Sequence, residues 1–270
     1  MRVAAFADEI SDDLETQIGV LREESIRFVD LRSVWGTNVL DLTPSQQRTV
    51  RDALDAAGMQ VSTIASPIGK SAIDGPSAAD WQRFEHALRL AATFGARFIR
   101  LFSFFLPDGS AQRGWQRWRP AIVARLREMA QAASAAGVTL VLENEKETYA
   151  DTVLRCVDLL GTVDDRHLGA AFDAANFVQC GERPYPDAYR ALRRWLAYVH
   201  VKDVTDGGEI VPAGEGTAGW PAMIAALARD GYDGFLSLEP HLAAGHRFGG
   251  FSGVEGFRRA ARALRRLMPP

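Results

Sequence analysis

Four side chains able to bind a divalent cation stand at the ends of four successive apolar runs. VTLVLE ends in Glu143, LGAAFD in Asp173, AYVH in His200 and FLSLE in Glu239. Three carboxylates and one imidazole make a hard, mostly oxygen donor set. Such a set favours Mn²⁺ or Mg²⁺, admits Co²⁺ or Zn²⁺, and leaves coordination positions for a substrate. Without a cation, three converging carboxylates repel one another and lose hydration, on the order of several kcal/mol per ion. For any one of these residues, an ion pair with a neighbouring Arg or Lys is an equally good account. The same placement on four successive runs favours a shared site.

Convergence requires that the four runs be strands with the ligands on one face. In Thr139–Glu143, Thr139, Val141 and Glu143 share a face opposite Leu140 and Leu142. Asp173 likewise falls with Gly169 and Ala171, and Glu239 with Phe235 and Ser237, so each carboxylate points inward and the leucines face a helix layer. Eight strands are predicted: Val3–Phe6, Phe28–Arg32, Val61–Ala65, Phe98–Phe102, Thr139–Glu143, Leu168–Asp173, Ala197–Lys202 and Phe235–Glu239. A helical pattern follows each. Strict alternation implies parallel strands with helical crossovers, and eight units in 270 residues imply an α/β fold, a closed (βα)8 TIM barrel covering 1–270 as one domain. An open doubly wound sheet is disfavoured, because the first strand runs into ADEISDD instead of a glycine-rich nucleotide turn. The punctuation agrees. Gly58, Gly95, Gly137 and Gly231 stand where left-handed helix stops are wanted, and Thr43 with Gln46 forms a capping box ahead of Pro44 at the first helical position. Asp80 or Ser11 is expected to cap other helices.

The segments LVLENEK, AAFDAANF, YVHVKDV and LSLEPHL carry a resemblance. Over essentially its whole length the chain resembles the xylose-isomerase-like barrel superfamily of sugar isomerases and epimerases, which also includes inosose dehydratase and endonuclease IV. Single-metal members of that superfamily use a Glu, Asp, His, Glu quartet, which maps onto Glu143, Asp173, His200 and Glu239. The resemblance implies proton transfer at a carbon next to a carbonyl. Glu143 or Glu239 would remove the proton and the other return it from the opposite face, with the metal acting as a Lewis acid. One position departs from the pattern: Asn176 stands where many members carry His. An amide can bond a sugar hydroxyl, but it does not titrate near neutral pH and is a poor metal ligand. The three-metal site of endonuclease IV needs more histidines than His86, His167, His200, His241 and His246 supply, and His86 lies within a predicted helix.

Further residues fall near the predicted mouth. Lys202 shares the face of His200 and is expected to contact substrate oxygens or act as a base; its alternative is an ion pair with Asp203 or Glu239. His241 follows Glu239 closely and is expected to reach the substrate, a surface loop position being the plainer outcome. Glu145 reads as a solvated loop residue. Arg32 ends the second strand, where it would meet a substrate oxygen or anionic group, with an internal Asp30–Arg32 pair as the alternative. The loops PAGEGTAG and GHRFGGFSG lie where many barrels bind phosphate, and Arg247 is the charge there suited to an anion.

Composition narrows the classes. An apolar fraction of 47%, a charged fraction of 24% and a net charge of −3 describe an ordinary globular protein with no electrostatic bias toward nucleic acid. Cys156 and Cys180 share no metal-binding spacing and fit a reducing compartment. There is no uninterrupted apolar run of about 18 residues and no secretory leader pattern, so the expectation is a cytoplasmic protein without membrane contact. The leading functional expectation is a metal-dependent isomerase or epimerase of a ketose or related polyol ketone. A dehydratase of the inosose type is the alternative, followed by a non-catalytic sugar-binding or partner subunit. The implied partners are one divalent ion, most readily Mn²⁺, and a small sugar or polyol; the resemblance also suggests a homo-oligomer.

Overall fold

A computed structural model describes residues 1–107, 114–246 and 249–269. Its frame is eight parallel strands: β1 (Arg2–Phe6), β2 (Phe28–Leu31), β3 (Gln60–Ile64), β4 (Phe98–Leu101), β5 (Thr139–Glu143), β6 (Leu168–Asp173), β7 (Leu196–Val201) and β8 (Phe235–Leu238). They close into a barrel in sequence order, with β1 pairing to both β2 and β8. Nine helices flank them among the described residues: α1 (Leu14–Glu23), α2 (Pro44–Ala56), α3 (Ser77–Phe94), α4 (Arg119–Ala135), α5 (Val153–Val163), α6 (Ala174–Gln179), α7 (Tyr189–Leu192), α8 (Trp220–Arg229) and α9 (Gly253–Leu267). The TIM-barrel expectation therefore holds. Strand ends differ from it by a residue: Arg32, Ala65, Phe102, Lys202 and Glu239 lie just past the ladder, where the chain turns into the mouth loops.

Local chemistry explains the boundaries. Thr43 and Gln46 form the expected capping box of α2. Asp13, and not Ser11, caps α1 by accepting the Thr16 N–H at 2.8 Å. Asp80 caps nothing: Pro76 holds the N-cap of α3, and Asp80 accepts the Ser71 hydroxyl instead. Gly169 allows β6 and β7 to approach, since a Cβ there would lie 2.5 Å from that of Ala197. Neither cysteine forms a disulfide. Burial pushes both thiols up, Cys180 to about 11, so they stay protonated at neutral pH. Among the described residues no helix is long and apolar enough to cross a membrane.

Strand parity divides the molecule into two cores. Outward residues such as Leu140, Leu142, Leu168, Phe172, Leu236 and Leu238 pack against the helices. Inward residues fill the barrel from the bottom with Ala4, Val141, Ala171, Tyr198 and Phe235. Above this apolar layer Asp30 is fully buried and accepts hydroxyls from Ser62, Tyr198 and Ser237, each at 2.5 Å. Burial raises its carboxyl above the usual carboxylate range, and the three hydroxyl donors oppose that rise. Replacing Asp30 by Ala strands the buried Tyr198 and Ser237 hydroxyls, while Ser62 keeps the Val29 carbonyl at 3.0 Å. We expect a loss of about 3 kcal/mol in urea unfolding, and about 1 kcal/mol for Asp30→Asn, which keeps one acceptor oxygen. Equal stability of wild type and Asp30→Ala would show that the hydroxyls re-pair among themselves.

Candidate metal centre

At the C-terminal mouth the four predicted ligands come together. Glu143, Asp173, His200 and Glu239 each offer a donor atom within 4.8 Å of the others, and all four are buried. Adjacent strands place them: Asp173 pairs with His200 across β6 and β7, and Ser237 of β8 opposes His200 from the other side. Glu143 Oε1 and Glu239 Oε2 each lie 3.3 Å from His200 Nδ1. Asp173 divides its oxygens: Oδ1 caps α6 by accepting the Asn176 N–H, while Oδ2 faces the site beside the Lys202 ammonium at 2.9 Å. His200 Nε2 has no hydrogen-bond partner among the described residues, while His200 Nδ1 faces the two glutamates and Asp173 Oδ2 is met by Lys202. Buried polar atoms are normally paired, so carboxylate oxygens of Glu143, Asp173 and Glu239 gathered with one nitrogen of His200 within 4.8 Å of one another fit a cation held between them.

Charge counting points the same way. Asp8, Glu9, Glu143, Asp173 and Glu239 are buried at the mouth together with Arg32, Arg100 and Lys202. Five carboxylates against three permanent cations leave two negative charges, the charge of one divalent ion. Without it, a proton on His200 offsets one of the two. Burial alone would push the His200 imidazole down, but attraction and hydrogen bonds from Glu143 and Glu239 carry it up to about 10. Burial raises Glu143 as well, and there His200 and Arg100 win, bringing it to about 2. Lys202 stays protonated: burial opposes its charge, and Asp173 with the two glutamates more than offsets that.

Two arginines organise this cluster. Arg32 donates Nε–H to Asp8 at 2.7 Å, Nη1–H to Glu239 Oε1 at 2.9 Å, and Nη2–H to Glu9 and the Gly250 carbonyl. Arg100 donates to Glu143 Oε2 at 3.1 Å and lies 3.5 Å from Glu239 Oε1. Both guanidinium groups rest about 5 Å from the centre of the Phe6 ring, which also meets His200 edge-on.

The expectations for individual residues fare differently. Arg32 reaches the site, but every nitrogen bonds to the protein, and the Asp30–Arg32 pair does not form because Asp30 belongs to the layer below. Lys202 faces the site and pairs with Asp173, not with Asp203 or Glu239. Asn176 is buried and fully used: its amide donates to the Asn144 carbonyl at 2.9 Å and accepts from Lys202 at 3.0 Å. His241 is half-buried at the rim, with φ +52 and Nε2 at 3.3 Å from Glu9 and 3.5 Å from Glu239. Glu145 is not a free surface group; it pairs with Lys70 at 2.7 Å. The PAGEGTAG loop wraps an internal anion. Gly214, Gly216 and Ala218 donate their N–H groups to the Asp203 carboxylate at 2.9–3.1 Å, so they are not open to a phosphate. Arg247 lies outside the described residues. Sequence reasoning missed Arg100, Asp8, Glu9 and Asn144. Arg100 had a signal: a charge at inward parity between Phe98 and Phe102.

The family model described as xylose isomerase-like TIM barrel matches residues 21–267. The chain belongs to that family. Among relatives, it is 26% identical over 176 residues to a 3-dehydroshikimate dehydratase of Bacillus anthracis, a match covering 64% of this chain and 61% of the relative's length. Two solved structures share the fold. A D-psicose 3-epimerase from Clostridium cellulolyticum superposes with TM-score 0.77 at 17% identity, covering 99% of this chain and 98% of the other. The IOLI protein with a bound zinc atom superposes with TM-score 0.80 at 14% identity, covering 99% and 98%. Proteins similar to this chain thus include a dehydratase by sequence and an epimerase by fold.

His200 would have to lose its proton to serve as a ligand, so protons and a metal would compete for this site. Mn²⁺ affinity measured by calorimetry is expected to fall about tenfold for each pH unit lowered below the His200 value, with about one proton released on binding in neutral buffer. Affinity independent of pH between 6 and 9 would remove His200 from the ligand set.

Proposed function

We propose that this xylose isomerase-like barrel is a divalent-metal-dependent lyase that removes water from a small polyhydroxylated ketone of the sugar or cyclitol type. Glu143, Asp173, His200 and Glu239 would hold one ion, most readily Mn²⁺, with Mg²⁺, Co²⁺ and Zn²⁺ compatible. Bound there, the ion supplies Lewis acidity toward a carbonyl oxygen, which makes the neighbouring C–H more acidic.

The observation that carries the lyase reading is how the two glutamates are used. Glu143 Oε2 accepts from Arg100, and Glu239 Oε1 accepts from Arg32. Their remaining oxygens converge on His200 Nδ1, where a metal would be held. An oxygen already bonded to a guanidinium is a weak base, so both glutamates act here as ligands. Epimerisation needs two acid–base groups facing each other across the substrate, whereas elimination needs one base and one acid near the leaving hydroxyl. Lys202, protonated and facing the site, fits the acid. His241, at the rim beside Glu9 and Glu239, fits the base. In the step proposed, His241 takes the proton from the carbon next to the carbonyl. The C–H electron pair becomes the new C=C bond, the β C–O bond breaks, and Lys202 gives a proton to the departing hydroxyl, which leaves as water. Similarity to a 3-dehydroshikimate dehydratase supports this assignment.

An epimerase is the second reading. Glu143 and Glu239 flank His200 at equal distances of 3.3 Å, an arrangement that would serve two-faced proton transfer once Arg100 let go.

Proton NMR of the Mn²⁺-loaded protein in D₂O with ketoses, inososes and related ring ketones separates the two. Alkene signals with loss of water are expected; a deuterated, mass-neutral product would establish the epimerase. His241→Asn should lower kcat by about 10²–10⁴-fold with metal content unchanged, while Glu239→Gln should weaken metal binding first. Undiminished turnover in His241→Asn excludes that residue as the base.

A further inference from the structure

The barrel has a second cavity, at the end opposite the metal centre. It encloses about 420 Å³, a volume within the usual range of small-molecule sites. Its walls come from the N-terminal ends of β1, β2, β3 and β8, the approach to β4, and the C-terminal ends of α2 and α3. Phe28, Phe235, Met59 and Phe94 give it an apolar floor, and Arg2, Arg51 and Arg97 are set around it with Asp55 as the lone acid of the lining.

Three guanidinium groups against one carboxylate is an unusual balance for a chain of net charge −3. Among the described residues, Arg2 and Arg97 form no salt bridge, and Arg51 reaches only Asp52 at 3.6 Å in a solvent-exposed pair of little strength. Arg2 is fixed in place by stacking: its guanidinium carbon lies 4.0 Å from the centre of the Phe235 ring and 5.8 Å from that of Phe28. Stacking uses the flat face of the fork and leaves its edge N–H donors unspent. A planar fork with unspent donors matches a carboxylate, and an apolar floor beside it matches a hydrocarbon body.

We propose that this basal cavity is a binding site for a small carboxylate with an apolar ring, separate from the substrate site at the mouth. The inference does not rest on the proposed lyase chemistry, since it concerns residues at the other end of the barrel. Binding should need both parts of the ligand. The ring fills the floor between Phe28, Met59 and Phe94, and the carboxylate meets the edge of the Arg2 fork with Arg51 and Arg97 beside it at the rim.

Calorimetric titration of the full chain with 2-naphthoate, 2-naphthamide and inorganic phosphate tests this, with and without Mn²⁺. Expected is one naphthoate per chain, bound equally well with and without the metal. The uncharged amide and phosphate should each bind about tenfold more weakly or worse. The double variant Arg51→Gln, Arg97→Gln changes exposed or half-buried side chains and should fold with an unchanged thermal midpoint while losing naphthoate affinity about tenfold. Equal binding of the amide would reduce the cavity to an apolar patch, and equal binding of phosphate to a simple anion patch. Naphthoate binding that vanishes on metal loading, or that survives in the double variant, would place the ligand at the mouth and overturn the proposal.

Discussion

Burying five carboxylates in one water-poor mouth is the constraint on which the rest of this barrel depends. Each would lose several kcal/mol of hydration if left alone, and each raises the cost of ionising its neighbours. Arginine suits the task of offsetting this better than lysine, because a planar fork can serve several acids at once. Arg32 reaches Asp8, Glu9 and Glu239 from a single guanidinium. Phe6 supports both arginines from below, so the cations are fixed in place and do not swing toward solvent. The protein's own cations leave two charges uncovered, and the donor atoms of Glu143, Asp173, His200 and Glu239 lie close together. Excess charge and closely gathered donor atoms coincide in space, as a cation site requires and a set of separate structural ion pairs does not.

Strand parity turns this local problem into a layered one. Inward positions are apolar at the bottom, carry the hydroxyl-bound Asp30 in the middle and bear full charge at the top. The mouth loops are held by the same kind of interaction. Asp203 gathers the loop after β7 through backbone N–H groups, and Glu9 accepts both the His241 N–H and the Ser252 hydroxyl. Asn144 exchanges two hydrogen bonds with the backbone of Asp173, at 2.8 and 2.9 Å. Ligand positions are therefore set by buried polar bonds between neighbouring strands, which resist the outward repulsion of the acids.

How much of this was legible in the sequence follows from the range of each interaction. Alternation in VTLVLE and LGAAFD orients Glu143 and Asp173 from local information alone, and the capping box at Thr43 is equally local. The partners of those acids are not local. Arg32 meets Glu239 across 207 positions, a neighbour pair created by closure of β1 onto β8 and β2. Arg100 shows the same limit: its charge in an apolar strand marked it as unusual, but only the barrel reveals that it bridges two ligands. Asn176 and the PAGEGTAG loop looked available to substrate because polar side chains and glycines are also what a site would use. In the fold, Asn176 joins Lys202 to Asn144, and the loop closes on Asp203.

Three carboxylates and an imidazole do not by themselves decide a reaction, so the outcome rests on the residues around them. A glutamate with one oxygen on the metal and the other free is both ligand and base; a glutamate whose second oxygen meets a guanidinium is a ligand alone. Arg100 touches both glutamates and sits on a strand that contributes no ligand. Its presence can change the available chemistry without altering the metal site's composition. In the proposed lyase, with both glutamates committed, proton traffic would fall to Lys202 and His241, which approach from β7 and from the loop after β8. In this chain the arginine behind the glutamates thus bears on the proposed reaction as directly as the four residues of the cluster.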